Sequence, residues 1–206
     1  MLSPEQINRY LGNVDLYLLD QILKGRFNPD MKVLDAGCGE GRNLSYFLRN
    51  GYHVEGIDRN EDAIRMIKFV ARLTVTNYPE EHFQIGDLLQ LPYPGDQFQL
   101  VICNAVLHFA ESEDEFWQMW KELTRMVAPD GYLFVRTASV LGLDLPVKKQ
   151  DVGRYWLPDG SLRFLLDRSH WDTILASENW ELVEPLKVVS VDEQRGMSTI
   201  VLQKKA

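Results

Sequence analysis

The sequence predicts an α/β fold built on a parallel sheet, and two observations carry that expectation. Apolar segments of strand character alternate with segments of helical periodicity from residue 32 to residue 137, and a glycine cluster lies between the first strand and the first helix of the series. At 206 residues the chain can bury one substantial core without disulfides or metals, so a single domain over residues 1–206 is expected.

Each element follows from local signals. Ser3 before Pro4 and Glu5 is a helix cap with proline in the first turn, and Ile7, Leu11, Leu18, Leu19, Ile22 and Leu23 recur at helical spacing. Gly12 and Asn13 divide that stretch in two, giving an N-terminal helical cap over residues 1–28. Strand 32–36 leads through Gly37, Gly39 and Gly41 into a helix over 43–50, which Gly51 stops. Strand 53–57, helix 61–73, strand 83–85, a Pro/Gly turn at 92–95 and strand 98–104 continue the alternation. Helix 114–126 places Phe116, Met119, Trp120 and Leu123 on one core-facing side, and Pro129, Asp130 and Gly131 turn the chain into strand 132–137.

Residues 141–165 break the pattern. Leu145 and Pro146, then Leu157 to Gly160, mark a loop or small hairpin inserted after a core strand, a position from which excursions cover sites. A helix over 169–178, a strand over 181–191, a turn at Gln194, Arg195 and Gly196, and a last strand over 198–203 complete the prediction.

Composition narrows the function. A net charge of -8 opposes broad attraction to phosphate backbones, so no nucleic-acid partner is expected. The opening MLSPEQINRY lacks a basic segment followed by an apolar one, and no apolar run is long enough for a bilayer; a cytoplasmic protein with no membrane partner is expected. Cys38 and Cys103 lie far apart without zinc spacing, and His53, His82 and His170 are scattered, so no metal is expected.

Three glycines between a buried strand and a helix let backbone amides approach a ligand closely, which implies a nucleotide-like cofactor. Asp58 ends the second strand, where a carboxylate can accept from both hydroxyls of a ribose, and Asp87 ends the third beside the apolar Leu88, where it can meet a purine amino group. A P-loop would require Lys and Ser/Thr after Gly41, but Arg42 and Asn43 stand there. A dinucleotide fingerprint would place its third glycine at position 42, one residue later than Gly41.

VLDAGCGEGRN (33–43), GIDRN (56–60), GDLLQLPYPGDQFQLVICNAVLHF (86–109) and the late strand pair resemble a class I S-adenosylmethionine (SAM)-dependent methyltransferase over most of the chain. Residues 41–44, the 104–109 segment and RGMST (195–199) are further similar to TehB-like, tellurite-resistance-type enzymes. The resemblance implies a Rossmann-like sandwich: a mostly parallel seven-stranded sheet with an antiparallel C-terminal strand and helices on both faces. It also implies that Asp35, Ala36, Gly37 and Gly39 surround the methionyl part of SAM, Asp58 holds the ribose, Asp87 and Leu88 border the adenine, and Asn104 and Ala105 flank the sulfonium. Cys38, Asn43 and Arg59 complete the implied cofactor-binding set.

Methyl transfer to a small-molecule acceptor, releasing S-adenosylhomocysteine (SAH), needs alignment more than a catalytic triad. His108 is the nearest candidate base, with a packing or capping role as the competing account. Cys38 is better explained as a small residue between glycines than as a nucleophile. Tyr10, Tyr17, Arg136, Arg154 and Trp156 are acceptor-site candidates; Arg163 and Arg195 can together hold an anionic acceptor or make ordinary surface pairs in an acidic chain. A SAM-binding regulatory module and a NAD-dependent oxidoreductase are the alternatives from other classes.

Overall fold

Alternate residues of the central strands belong to opposite faces of one sheet. In β1 (Lys32–Ala36), Val33 packs into one core cluster while Leu34 and Ala36 pack into the other; in β4 (Phe98–Asn104), Leu100 and Ile102 join the first and Val101 and Cys103 the second. Burial on both faces of a parallel sheet is what makes these strands nearly continuous in apolar residues. The computed structural model describes residues 3–142, 146–193 and 195–206, with only the backbone of Arg9; Leu145 and Gln194 therefore lie outside the described residues.

The parallel core adds β2 (His53–Asp58), β3 (Phe83–Ile85) and β5 (Val127–Ser139). The sheet is completed by β9 (Trp180–Leu182), β10 (Lys187–Val191) and the antiparallel β11 (Arg195–Lys204). The order is β10-β11-β5-β4-β1-β2-β3, with β9 also paired to β11. One face is covered by α2 (Leu16–Leu23), α3 (Ser45–Arg49) and α4 (Glu61–Thr74), the other by α5 (Glu113–Met126) and α6 (Arg168–Leu175). Strand order reverses between β1 and β4, so the crevice at their carboxyl ends is where such a sheet binds ligands.

At the N-terminus, α1 (Pro4–Leu11) begins with the expected Ser3 cap, reciprocated by Gln6, and ends at Gly12 with φ +67°. Among the described residues no helix is long and apolar enough to cross a membrane.

The structure corrects several boundaries. The sheet has eight strands rather than seven, because the segment expected as one strand over 181–191 is divided into β9 and β10 around Pro185, which lacks an N–H for pairing. Arg195 and Gly196 are not turn residues: they open β11, and the reversal falls on Asp192 and Glu193, both with positive φ. The predicted turn at Pro129 to Gly131 lies within the extended β5, where a register shift against β4 absorbs the extra residues and Asp130 takes φ +61°. The insertion after β5 is a three-stranded antiparallel sheet of β6 (Lys148–Asp151), β7 (Arg154–Trp156) and β8 (Leu162–Phe164), larger than the expected loop or hairpin.

Candidate cofactor and active site

The glycine loop is pinned to the neighbouring strand by its own amides. Gly37 and Cys38 both donate to the carbonyl of Ile57, at 2.8 and 3.0 Å, and Gly39 donates to Asp58 Oδ2 at 2.8 Å. Gly37 and Gly39 hold φ of +84° and +51°, the left-handed region that a Cβ disfavours. Asp58 Oδ1 also accepts from Asn60 N–H at 2.9 Å, and Asp87 Oδ1 accepts from Leu89 N–H at 2.9 Å, so both carboxylates are oriented by backbone.

Across the switch point, Ala105 has φ +64° and donates to the carbonyl of Arg136 at 2.7 Å, turning the chain sharply after β4. Positive φ at a residue bearing a Cβ is the sort of strain that surrounding structure must hold in place. The turn leads into one 3-10 turn, Leu107–Phe109.

A cleft of ≈ 190 Å³ opens between these segments, lined by the predicted Gly37, Asp58, Arg59, Asp87, Leu88, Asn104 and Ala105. Gly86, Val106, Phe109 and Met119 also line it. Two buried polar groups nearby have no hydrogen-bond partner: both carboxylate oxygens of Asp35 and both amide atoms of Asn104. Burial pushes the Asp35 carboxyl up to about 7, with Arg42 opposing the rise and Asp58 adding to it. Unpaired buried polar atoms are costly, so their presence at a ligand crevice points to a polar or cationic ligand group that completes them.

The remaining predicted residues are dispersed. Ala36 is fully buried in the sheet core, and the Cys38 side chain packs near Gly56 in the core, where burial pushes its thiol well above the ordinary range and leaves it inert as a nucleophile. Asn43 is buried and accepts the Asp15 amide at 3.0 Å. Asp15 caps α2 and pairs with Arg136 at 3.1 Å, and the Arg136 guanidinium lies 5.2 Å from the Tyr17 ring centroid. These four residues form one cluster that fastens the N-terminal segment to the end of β5. Tyr10 is elsewhere, donating to Asn50 beyond the far end of α3.

Within the inserted sheet, Arg154 donates to the carbonyl of Ala110 at 2.6 Å and so holds the segment after the 3-10 turn. Trp156 bonds Gln150 and lies at the exposed surface. The Arg163 guanidinium lies 5.1 Å from the centroid of Phe109, a cleft-lining ring. Arg195 starts β11. His108 packs on Phe109 at 4.5 Å; its Nδ1 is buried without a partner, and burial, then Arg163 and Arg195, push its pKa down to about 4.

Sequence reasoning missed Asp15, although an Asp directly before an apolar helical run is a cap signal. It assigned Met119 to the core, because helical spacing alone does not distinguish a core edge from a cleft wall.

With that geometry in place, residues 34–135 match the family described as "Methyltransferase domain". Over residues 34–135 the chain carries a methyltransferase domain. S-Adenosylmethionine is the cofactor of that family, and the methyltransferase matches do not favour the nicotinamide alternative. Among curated relatives, methyltransferase YodH of Bacillus subtilis is 25% identical over 80% of this chain and 66% of its own length. The matched part covers between about a third and two thirds of the first curated relatives, 66%, 49% and 32% of their lengths. A SAM-dependent methyltransferase structure from Methanosarcina mazei has a TM-score of 0.70 at 22% identity, covering 89% of this chain and 97% of that one. Magnesium protoporphyrin IX methyltransferase of Synechocystis PCC 6803, solved with bound SAH, has a TM-score of 0.70 at 20% identity over 100% of this chain and 89% of its own. At those identities the two structures establish a shared fold. The methyltransferase domain thus places its glycine loop, Asp58 and Asp87 around one crevice.

Proposed function

We propose that this chain transfers a methyl group from SAM to a small-molecule acceptor by in-line displacement. The observation that carries the proposal is the pair of unpartnered buried groups, Asp35 and Asn104, at the strand switch point beside Asp58. Their chemistry fits the cofactor: Asp35 suits a cationic ammonium, Asp58 a ribose diol, and Asp87 with Leu88 the edge and face of a purine. When bound, SAM supplies a methyl group already activated on sulfur, and SAH is the product.

The chain's own part is alignment and exclusion of water. Gly37 and Gly39 let the loop approach, Asn104 and Ala105 border the reacting centre, and Val106, Phe109 and Met119 give the cleft an apolar wall. His108, neutral at physiological pH, is the group available to take a proton from an acceptor that must lose one.

A finer assignment to TehB-like enzymes is supported by residues 41–44, 104–109 and 195–199. We read residues 1–206 as one domain, with 1–28 as a cap and 141–165 as an insertion near the acceptor site. The acidic charge and two free cysteines support a cytoplasmic location. The test is incubation with methyl-labelled SAM and a panel of small acids, phenols, amines and thiols, followed by mass spectrometry. Acceptor-dependent SAH release with a labelled product supports the proposal; tight SAM binding with no transfer to any class would instead support a regulatory module.

A further inference from the structure

Buried polar groups without a partner stand on one face of three adjacent strands. Asp35 of β1, Asn104 of β4 and Arg136 of β5 each lie two residues beyond an apolar residue, Val33, Ile102 and Phe134, that packs into the cluster beneath α2, α3 and α4. Side chains two apart on a strand share a face, so all three belong to that side of the sheet, toward its carboxyl edge. Among the described residues, both carboxylate oxygens of Asp35, both amide atoms of Asn104 and Nε of Arg136 are buried without a hydrogen bond. Asn104 and Arg136 are register partners, and neighbouring strands run roughly 4.8 Å apart. In the methyltransferase reading the cofactor's ammonium meets Asp35. Arg136 lies beyond Asn104, one strand further from the glycine loop, and that reading leaves its Nε unused.

The rest of the Arg136 guanidinium is engaged. Nη1 donates to Asp15 Oδ2 at 3.1 Å, and the group lies 5.2 Å from the Tyr17 ring centroid. The other oxygen of Asp15 accepts from the N–H groups of Tyr17 and Leu18, at 2.9 and 3.4 Å. The guanidinium charge is therefore balanced within the protein. What remains is a hydrogen-bonding pattern: donors on Arg136 Nε and Asn104 Nδ2, and one acceptor, Asn104 Oδ1.

That pattern selects among ligand groups. A carboxylate or phosphate only accepts, so it sets an oxygen against Asn104 Oδ1 and brings a negative charge beside the carboxyl groups of Asp15 and Asp35. An ammonium only donates, so it sets N–H against the Nε–H of Arg136. A hydroxyl has one donor and two acceptor lone pairs and satisfies all three atoms.

We infer that the methyl acceptor carries a hydroxyl group seated between Asn104 and Arg136, donating to Asn104 Oδ1 and accepting from Arg136 Nε–H. Its role in the acceptor rests on the methyltransferase proposal; the hydroxyl subsite rests on the unpartnered donors and acceptor. Arg136 is then a specificity-determining residue, and Asp15 positions it through their ion pair.

The experiment uses four probes built on a benzene ring: phenol, its isostere fluorobenzene, benzoate and benzylamine. Each is titrated into the full chain by NMR, with and without saturating SAH, and the series is repeated on Arg136→Lys and Asn104→Leu. Arg136→Lys keeps a cation for Asp15 and removes the Nε–H; Asn104→Leu removes both amide atoms at similar volume. Expected is phenol binding roughly ten-fold more tightly than the other three, the scale of hydrogen bonds made in a buried place. In each variant the preference over fluorobenzene should fall to about two-fold or less, and in Arg136→Lys the SAH affinity should stay within about two-fold. The preference is a ratio within one protein, so lost stability in a variant does not imitate the result. Phenol binding no better than fluorobenzene, a preference for benzoate or benzylamine, or a phenol preference that survives in either variant overturns the inference. Failure of SAH to bind while the variant-sensitive phenol preference persists removes the methyl-transfer reading and leaves the hydroxyl subsite standing. SAH binding without a phenol preference does the reverse.

Discussion

The amide of Gly39 donates to Asp58 Oδ2 at 2.8 Å, so the glycine loop after β1 and the carboxylate ending β2 form one unit. The hydrogen bond is charge-assisted, and it orients Asp58 while fixing the loop. Loop and acid therefore reach a ligand together.

Replacing Asp58 with Ala should weaken SAH binding by roughly 1–3 kcal/mol, the scale for losing polar contacts to a charged group. Asp58 is half-buried at the cleft and outside the apolar core, so thermal unfolding should remain cooperative. Titration calorimetry on the folded variant measures the loss; unchanged affinity would place the ribose elsewhere.

Two glycines separate stability from binding. A Cβ on Gly41 would meet Ile67 Cδ1 at 1.9 Å at φ +82°, whereas one on Gly39, at φ +51°, meets nothing within 4 Å. Gly41→Ala should lose roughly 1–3 kcal/mol of stability in urea unfolding from overpacking and backbone strain. Gly39→Ala should lose less stability and more SAH affinity, because the space its Cβ takes is where a ligand approaches.

Asp35 gives a pH signature with a definite sign. Its carboxyl is raised from 3.8 to about 7, so between those values the folded protein holds a proton that the unfolded chain releases. Stability of the ligand-free protein should fall as pH rises through that window and level off above it, by at most a few kcal/mol. Asp35→Asn should remove the slope, making the variant the more stable protein at pH 8 while binding SAH more weakly. Because an ammonium partner favours the ionised carboxylate, SAH binding near pH 6 should release a proton, which calorimetry in buffers of different ionisation enthalpy detects.

His108 predicts a flat profile where an ordinary histidine would titrate. With its pKa held down to about 4, the imidazole is neutral from pH 6 to pH 8, and kcat/KM should show no histidine inflection there. An inflection near 6.5 that disappears in His108→Gln would contradict the described environment.

The N-terminal fastening is testable by stability alone. Asp15 and Arg136 pair at 3.1 Å with side-chain exposures of 5% and 19%, and Asp15 also caps α2. Asp15→Ala should cost roughly 3–5 kcal/mol, since it leaves a largely buried guanidinium unpaired. A loss of only a few tenths in denaturant unfolding would show that the cluster does not fasten the segment.

What the sequence made legible was local. Gly37, Asp58, Asp87 and Asn104 were readable because each lies at the end of a strand or within two residues after it, where the apolar run stops, and the alternation of elements fixes those ends on one side of the sheet. The Asp15–Arg136 pair spans 121 residues and left no local trace beyond a cap signal. The three-stranded insertion was obscured because β6 (Lys148–Asp151) is exposed throughout and has no alternating apolar pattern. Arg163 was visible as a residue, but its place over the Phe109 ring is a property of the assembled surface.

The central claim is tested most directly by titrating SAH into the purified protein, with NAD and ATP under identical conditions. The account predicts one stoichiometric SAH site and no comparable binding of either control. Clear binding of NAD with none of SAH would contradict it, leaving the sheet and its crevice but not the cofactor.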